Sequence, residues 1–191
     1  MTSTKNCREE LNSLQQQFYE ENGKNTFFKN KQKTECAKMI CSKYSKEDLI
    51  QNTVYQIGDT NKIIIDYTIF KCYMNPDIYQ EFIYYIFNIF NKVLSLHSCY
   101  EIHINLDSLT ISAAERYKDI IKMYNDESTK NSTQFVDYLK IIKLYNLPSI
   151  LDAISKMIKP IINADAYNKI IIVPKNDSDR ELQNILDQIQ N

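Results

Sequence analysis

Glu101 and His103 are the residue pair best suited to proton transfer or metal binding in this chain. The segment EIHIN, residues 101–105, alternates polar and apolar side chains, so a β-strand would place Glu101, His103 and Asn105 on one face. Such a pair could act in acid–base catalysis or supply half of a metal site. No third ligand has a recognisable spacing, and no nucleophile-elbow sequence accompanies the pair. We therefore interpret this face as a polar surface packed against a helix, and predict that the protein is not an enzyme.

The cysteines are the next candidates for chemistry, because clustered thiols bind zinc and paired thiols form disulfides. Their number is odd and no two form a Cys-x-x-Cys pair: they are Cys7, Cys36, Cys41, Cys72 and Cys99. We interpret them as reduced thiols and expect neither a metal nor a cofactor. The two glycines, Gly23 and Gly58, are too far apart to form a phosphate-binding loop.

Overall charge and hydropathy argue against two broad classes of protein. The 191 residues carry a formal net charge of −1, so no global positive field attracts nucleic acid. The 14 tyrosines and 8 phenylalanines could stack on bases, but lysines and acidic residues are interleaved, which favours core packing instead. No apolar run approaches the roughly 18 residues of a membrane span, and the N-terminal residues lack the apolar centre of a signal peptide. We predict a cytoplasmic protein with no nucleic-acid partner.

The elements that would position these residues alternate between strand and helix. Residues 1–34 are polar and predict a loosely packed N-terminal extension, which leaves residues 35–191 as one domain. A helix over residues 76–96 is apolar around most of its circumference and should be buried. Strands are predicted near residues 53–57, 62–68, 100–107, 141–145 and 169–173. This order predicts an α/β fold, with a mixed, largely parallel sheet and helices on both faces.

The segment at residues 141–173 has a distinctive arrangement of prolines. A strand ends in Asn-Leu-Pro, and an amphipathic helix follows over residues 148–162, which Pro160 stops or kinks near its end. The polar connection NADAYN then leads to the last strand. The apolar stripe of this helix is wide enough to face a core or a cavity, and comprises Ile150, Leu151, Ile154, Met157, Ile158 and Ile161.

The same segment resembles the C-terminal half of a CRAL-TRIO lipid-binding domain. That family has a strand ending in Asn/His-x-Pro, a helix ending in Lys-Pro, and a Lys-Ile pair that opens the next strand. The matching residues here are Asn146, Pro148, Lys159, Pro160, Lys169 and Ile170. The order of elements from about residue 53 onward is also similar. The likeness is greatest to the divergent branch found in Rho GTPase-activating proteins and BCH scaffold proteins.

The resemblance implies that a lipid or another small hydrophobic molecule binds in a cavity, without chemistry being performed on it. Residues 148–162 would be the gate helix over this cavity. Its apolar contacts would come from Ile150, Ile154, Met157 and Ile158, and Lys169 and Asp137 would contact an anionic headgroup.

The divergent branch implies an alternative, a protein-interaction module of GTPase-regulatory or scaffold type whose cavity is filled by side chains. The large aromatic residues of the helix at residues 76–96 favour this alternative, because large rings fill space. The expected partners are therefore a hydrophobic ligand, a membrane surface contacted transiently, or another protein.

Overall fold

A five-stranded mixed sheet forms the centre of the protein. The structure, a computed structural model, describes residues 4–130, 134–148 and 151–189. The strands are β1 (Val54–Gln56), β2 (Lys62–Asp66), β3 (Tyr100–Asn105), β4 (Leu139–Tyr145) and β5 (Ile170–Ile172). They lie side by side in chain order; β1 is antiparallel to β2, and β2 to β5 are parallel. The predicted α/β fold with a largely parallel sheet is confirmed.

Helices account for most of the remaining described chain. They are α1 (Thr4–Asn22), α2 (Lys29–Lys43), α3 (Lys46–Thr53), α4 (Tyr67–Tyr73), α5 (Tyr79–Leu94), α6 (Ile111–Arg116), α7 (Lys118–Lys130), α8 (Phe135–Tyr138), α9 (Leu151–Ile158), α10 (Ala164–Asn168) and α11 (Lys175–Leu186). Short 3-10 turns cover Pro76–Ile78, Lys159–Ile161 and Asp187–Ile189.

The two faces of the sheet bury different layers. On one face, Ile63 and Ile102 join the main core together with residues from α1 to α9. On the other face, Ile64 and Tyr145 pack with Ile185 of α11 in a smaller core. Successive side chains of a strand point to opposite faces, so runs such as Ile63–Ile64 are apolar because both faces are covered.

Helix α5 buries one face against the sheet and exposes the other, so it is less deeply buried than its sequence predicts. The aromatic rings of the buried face fill the space above the sheet. The Phe87 ring stacks on Phe135 of α8 with ring centroids 5.2 Å apart, and Phe90 stacks on Tyr100 of β3 at 4.5 Å. Such contacts add to the free energy gained from burying the rings. The helix begins after a 3-10 turn, in which the side chain of Asn75 accepts a hydrogen bond from the N–H of Asp77.

The N-terminal helix α1 is packed on the domain, contrary to the predicted loose extension. Leu11 is completely buried and Cys7 nearly so, and both belong to the main core. Arg8 also donates to the Asp66 carboxylate at the end of β2, with the two atoms 2.7 Å apart. The predicted boundary at residue 34 falls inside α2. Most of the Gln and Glu residues of α1 are exposed, so the polar composition of this segment reflects its solvent face and not a lack of packing.

The connection at residues 163–168 is also more ordered than its polar sequence indicates. Residues Ala164–Asn168 form α10, because the Asn163 side chain caps this helix by accepting hydrogen bonds from the N–H groups of Asp165 and Ala166. Lys169 ends α10 as its C-cap, and β5 begins one residue later at Ile170.

Candidate functional site

The predicted gate helix, α9, packs into the main core where its side chains are described. Ile154 is 4% exposed and belongs to that core, and Met157 packs against it. Helix α9 contacts α6. Ile150 and the side chain of Ile158 lie outside the described residues. The described part of the apolar stripe is thus used for packing between helices.

Polar contacts attach α9 to its neighbours. The hydroxyls of Ser155 and Tyr167 are 2.9 Å apart, which links α9 to α10. The Lys159 ammonium lies 5.2 Å from the centroid of the Tyr167 ring, within the range of a cation–π contact. Asn125 of α7 donates to the carbonyl of Ile161 just beyond α9. Helix α9 is therefore held at its C-terminal end by both α7 and α10.

Lys169 and Asp137, the predicted headgroup contacts, lie in the same region. The Lys169 ammonium donates to the carbonyl oxygens of Val136 and Leu139, each at 2.6 Å. These two carbonyls flank Asp137 in sequence. In this arrangement the ammonium fastens the end of α10 to the junction of α8 and β4. A headgroup at this position would have to share the ammonium with two backbone acceptors.

Glu101 and His103 share a sheet face beneath α11, as the alternation predicts. His103 is 2% exposed; its Nδ1 lies 2.9 Å from the Tyr145 hydroxyl and its Nε2 lies 3.6 Å from a Glu101 oxygen. Burial lowers the pKa of His103 to about 4, although Glu101 acts in the opposite direction. Burial would raise the pKa of Glu101, but a hydrogen bond from Lys140 at 2.9 Å and the charge of that lysine lower it overall.

The burial of His103 limits the chemistry of this pair. An imidazole that is almost completely covered offers no approach to a substrate in this conformation. Lys143 of β4 and Glu181 of α11 form an ion pair at 3.0 Å that links this part of the sheet to α11. The arrangement supports the interpretation of a polar sheet face packed against a helix.

A network that the sequence did not reveal joins the carboxyl ends of the parallel strands. The Asp66 carboxylate accepts hydrogen bonds from the N–H and hydroxyl of Thr68 at 2.8 and 2.6 Å, besides the bond from Arg8. Asn105 donates to Asp66 at 3.5 Å and accepts from the Asn146 side chain at 3.2 Å. Open α/β sheets often bind ligands at this edge, where the strand order reverses. Here the order contains no reversal, and the polar groups bond to one another.

Asn146 adopts an uncommon backbone conformation within this network. Its φ is 55°, in the left-handed region that Asn tolerates better than most residues. Its N–H donates to the Ser178 hydroxyl at 3.1 Å, and its side chain donates to Asp179 at 3.1 Å. The Asn of the Asn-Leu-Pro sequence therefore turns the chain out of β4 and attaches that turn to α11.

Two surface clefts are described, and neither contains a residue predicted to bind lipid. One has a volume of about 270 Å³ and is lined by Asn91, Leu94, His97, Ser98 and Tyr138. The other, of about 380 Å³, is lined by residues 26–31, Lys33 and Ser112. The second cleft lies in the part of the sequence that we predicted to be a loose extension.

Strand β5 forms one edge of the sheet and exposes two large apolar side chains. Ile171 and Ile172 are 50% and 45% exposed. The N–H of Val173 donates to Leu144 and the carbonyl of Lys169 accepts from Ile142. Backbone groups alternate in direction along a strand, so those of Ile170 and Ile172 face away from the sheet. At this edge of the described sheet, no further strand pairs with β5.

Comparison with known proteins gives no family, because no protein-family model and no curated protein matches the chain. In the described part of the chain, no helix is both long enough and apolar enough to cross a bilayer. The described residues also contain no group of three or more His, Cys, Asp and Glu side chains that could hold a metal ion.

Proposed function

We propose that the protein is a non-enzymatic interaction module that binds an extended segment of a partner protein along β5. The observation that carries this proposal is the exposure of Ile171 and Ile172 on an edge strand. A sheet edge with free N–H and C=O groups pairs with an extended peptide, which gains main-chain hydrogen bonds there. Aromatic rings fill the layer between α5, α8 and β3, which favours an interaction module and disfavours a ligand-binding cavity there.

The chemistry of β5 defines the kind of partner. The strand is three residues long and consists of isoleucine alone, so it favours an extended, apolar, β-branched segment. Side chains of the partner would meet Ile171 on one face and Ile172 on the other, since both are half-exposed. Only a few main-chain hydrogen bonds fit along so short an edge. The interaction is therefore expected to be transient.

Proline substitutions at two neighbouring residues distinguish the N–H groups of β5 that face away from the sheet from those that face β4. Ile172→Pro removes an N–H that faces away from β4, and proline is tolerated in edge strands when its nitrogen faces solvent. The matched variant Ile171→Pro removes an N–H that faces β4 and should destabilise the fold. Peptides selected from a display library on the wild-type protein should bind Ile172→Pro at least about tenfold more weakly, the equivalent of one lost hydrogen bond.

Two measurements complete this test. The amide NMR signals of Ile170 and Ile172 should shift when a selected peptide binds, and the melting temperature of Ile172→Pro should stay close to that of the wild type. If the selected peptides bind Ile172→Pro as tightly as the wild type, or shift signals on another surface, β5 is not the binding edge.

Lipid binding is the second candidate function, and one observation favours it. The Lys169 ammonium is half-buried and its two described bonds go to neutral carbonyls, so its charge is uncompensated by any carboxylate of the described chain within ion-pair distance. An anionic headgroup would supply that compensation. Native mass spectrometry of the purified protein, followed by solvent extraction, distinguishes the two functions. A co-purifying lipid that is lost in Lys169→Met would support lipid binding, and a protein without bound lipid would support the interaction module.

A further inference from the structure

The segment at residues 23–34, GKNTFFKNKQKT, differs in charge from the rest of the chain. It contains Lys24, Lys29, Lys31 and Lys33 and no acidic residue, whereas the whole chain has a net charge of −1. Two adjacent phenylalanines, Phe27 and Phe28, lie in the middle of these lysines. We refer to residues 23–33 as the FF loop; its last part is the first turn of α2.

The structure exposes both phenylalanines to solvent. Phe27 is 92% exposed and Phe28 is 66% exposed, the two most exposed of the large apolar side chains described. Leaving a phenyl ring in water forgoes the free energy that burial would give. A pair of adjacent exposed rings is typical of a surface that is covered by a partner.

Hydrogen bonds hold the FF loop in this conformation. The Asn25 side chain accepts from the N–H groups of Phe27 and Phe28 at 2.9 and 2.8 Å. The Gln32 side chain, which is 9% exposed, donates to the carbonyl of Gly23 at 2.5 Å and accepts from the N–H of Asn25 at 2.9 Å. The exposure of the two rings is thus built into the loop by internal contacts.

Positive charge accumulates beside the rings with little compensation from carboxylates of the described residues. Burial lowers the pKa of Lys33, and the positive charges of Arg116 and Lys29 lower it further. Arg116 has a buried nitrogen, Nη1, without a hydrogen-bond partner in the described structure. Among the described residues, only Lys31 of the FF loop has a carboxylate within ion-pair distance, Glu35 at 4.0 Å. This surface is complementary to an anionic partner.

We propose that the FF loop docks the protein on the surface of an anionic lipid bilayer. The Phe27 and Phe28 rings would enter the boundary between headgroups and acyl chains, and the surrounding lysines would lie at the level of the phosphates. Lysine is a flexible point charge that suits an array of phosphates without fixed positions, whereas base recognition typically uses the planar guanidinium of arginine. A bilayer therefore fits this surface better than a nucleic acid.

The absence of tryptophan from the sequence allows a direct experiment. Phe27→Trp gives a single fluorophore in the FF loop, and Tyr84→Trp, at a 55% exposed position on α5, gives a matched control. Vesicles of phosphatidylcholine with phosphatidylserine should shift the emission of Phe27→Trp to the blue and leave that of Tyr84→Trp unchanged. Vesicles of phosphatidylcholine alone should have little effect on either protein.

Vesicle co-sedimentation separates the contributions of rings and charges. The double variant Phe27→Ala/Phe28→Ala should bind phosphatidylserine vesicles at least about tenfold more weakly. Changing Lys29 and Lys31 to Gln should weaken binding about fivefold per lysine, and added salt should weaken wild-type binding. All of these side chains are exposed, so the melting temperatures should stay close to that of the wild type.

Three results would overturn the proposal. The first is no binding of the wild type to vesicles containing phosphatidylserine. The second is full binding by the double alanine variant, which would show that the rings do not insert. The third is binding of single-stranded RNA by the FF loop at the same salt concentration, with an affinity that exceeds vesicle binding.

Discussion

At the residue scale, the protein buries several polar side chains, and His103 is the one whose pKa is lowered most clearly by burial. It lies on β3, hydrogen-bonds to Tyr145 of β4, and has Glu101, Lys143 and Lys62 as its charged neighbours. Because the site is covered, the neutral imidazole is strongly favoured over the charged form. The histidine therefore links the stability of the fold to pH.

The pKa of His103 predicts a loss of stability in mild acid. The folded-state pKa of about 4 is below the ordinary value of 6.5, so between these values the unfolded chain binds a proton that the folded chain does not. The contribution is present above pH 6.5 and is lost as the pH falls toward 4, up to about 3 kcal/mol. Urea unfolding of the wild type and of His103→Asn should show this slope in the wild type only. Parallel slopes in both proteins would contradict the assignment.

Lys169 is predicted to contribute to stability through its two carbonyl contacts. The family resemblance implies that this residue contacts a headgroup, but in the structure its ammonium joins α10 to α8 and β4. Lys169→Ala should lower the free energy of unfolding by about 1–3 kcal/mol, since hydrogen bonds from a charged donor are lost. Lys175→Ala, at an exposed position, is the control and should change it little. Equal stability of the two variants would leave Lys169 free for a ligand.

At the scale of elements, helix α1 packs against α2 and α4 and reaches the carboxyl end of β2 through Arg8. Its Leu11 enters the main core, and Arg8 bonds to Asp66, which is itself the N-cap of α4. This position explains why the polar N-terminal segment is ordered. Helix α1 and the end of β2 are thus coupled through both apolar and charged contacts.

Substitution of Leu11 tests the packing of α1. Leu11→Ala should lower the free energy of unfolding by about 2–5 kcal/mol, because it removes a fully buried side chain and leaves a cavity. Leu14→Ala, at a position that is only partly buried, should cost less. Calorimetry or urea unfolding measures the difference. If Leu11→Ala lowers the free energy of unfolding by less than about 0.5 kcal/mol, the usual range for a surface position, α1 is loosely packed after all.

At the scale of the whole molecule, the described chain places a thick helical layer on one face of the sheet and α11 on the other. The smaller core between α11 and the sheet includes Ile57, Ile64, Tyr145, Val173 and Ile185. Lys62 also donates to Gln188 at 2.8 Å, across 126 residues of sequence. The last residues of the described chain therefore complete the second face of the sheet.

The importance of α11 can be measured by one substitution on each side of the helix. Ile185→Ala should lower the free energy of unfolding by about 2 kcal/mol or more, since Ile185 is buried in the smaller core. Asn184→Ala, on the exposed side of α11, should have an effect near zero. Chemical denaturation compares the two variants. If they have equal stabilities, α11 does not contribute to the cooperative fold.

The sequence by itself determined the α/β architecture, because local patterns of apolar and polar residues predict its strands and most of its helices. Continuous isoleucine runs predicted strands covered on both faces, and the apolar residues within 76–96 predicted a core helix, although one face of α5 is exposed. Alternation alone also placed Glu101 and His103 on one face. Each of these inferences depends on periodicity within a single element, which folding does not alter.

Only the tertiary structure decided what those elements contact. Asp66, Asn105 and Asn146 are about 40 residues apart in sequence, and their meeting depends on the order of three parallel strands. The carbonyls that accept from Lys169 and the edge position of β5 likewise follow from strand order, which no local pattern encodes. The same holds for α1, whose apolar stripe is too narrow to reveal burial until the surface it covers is known.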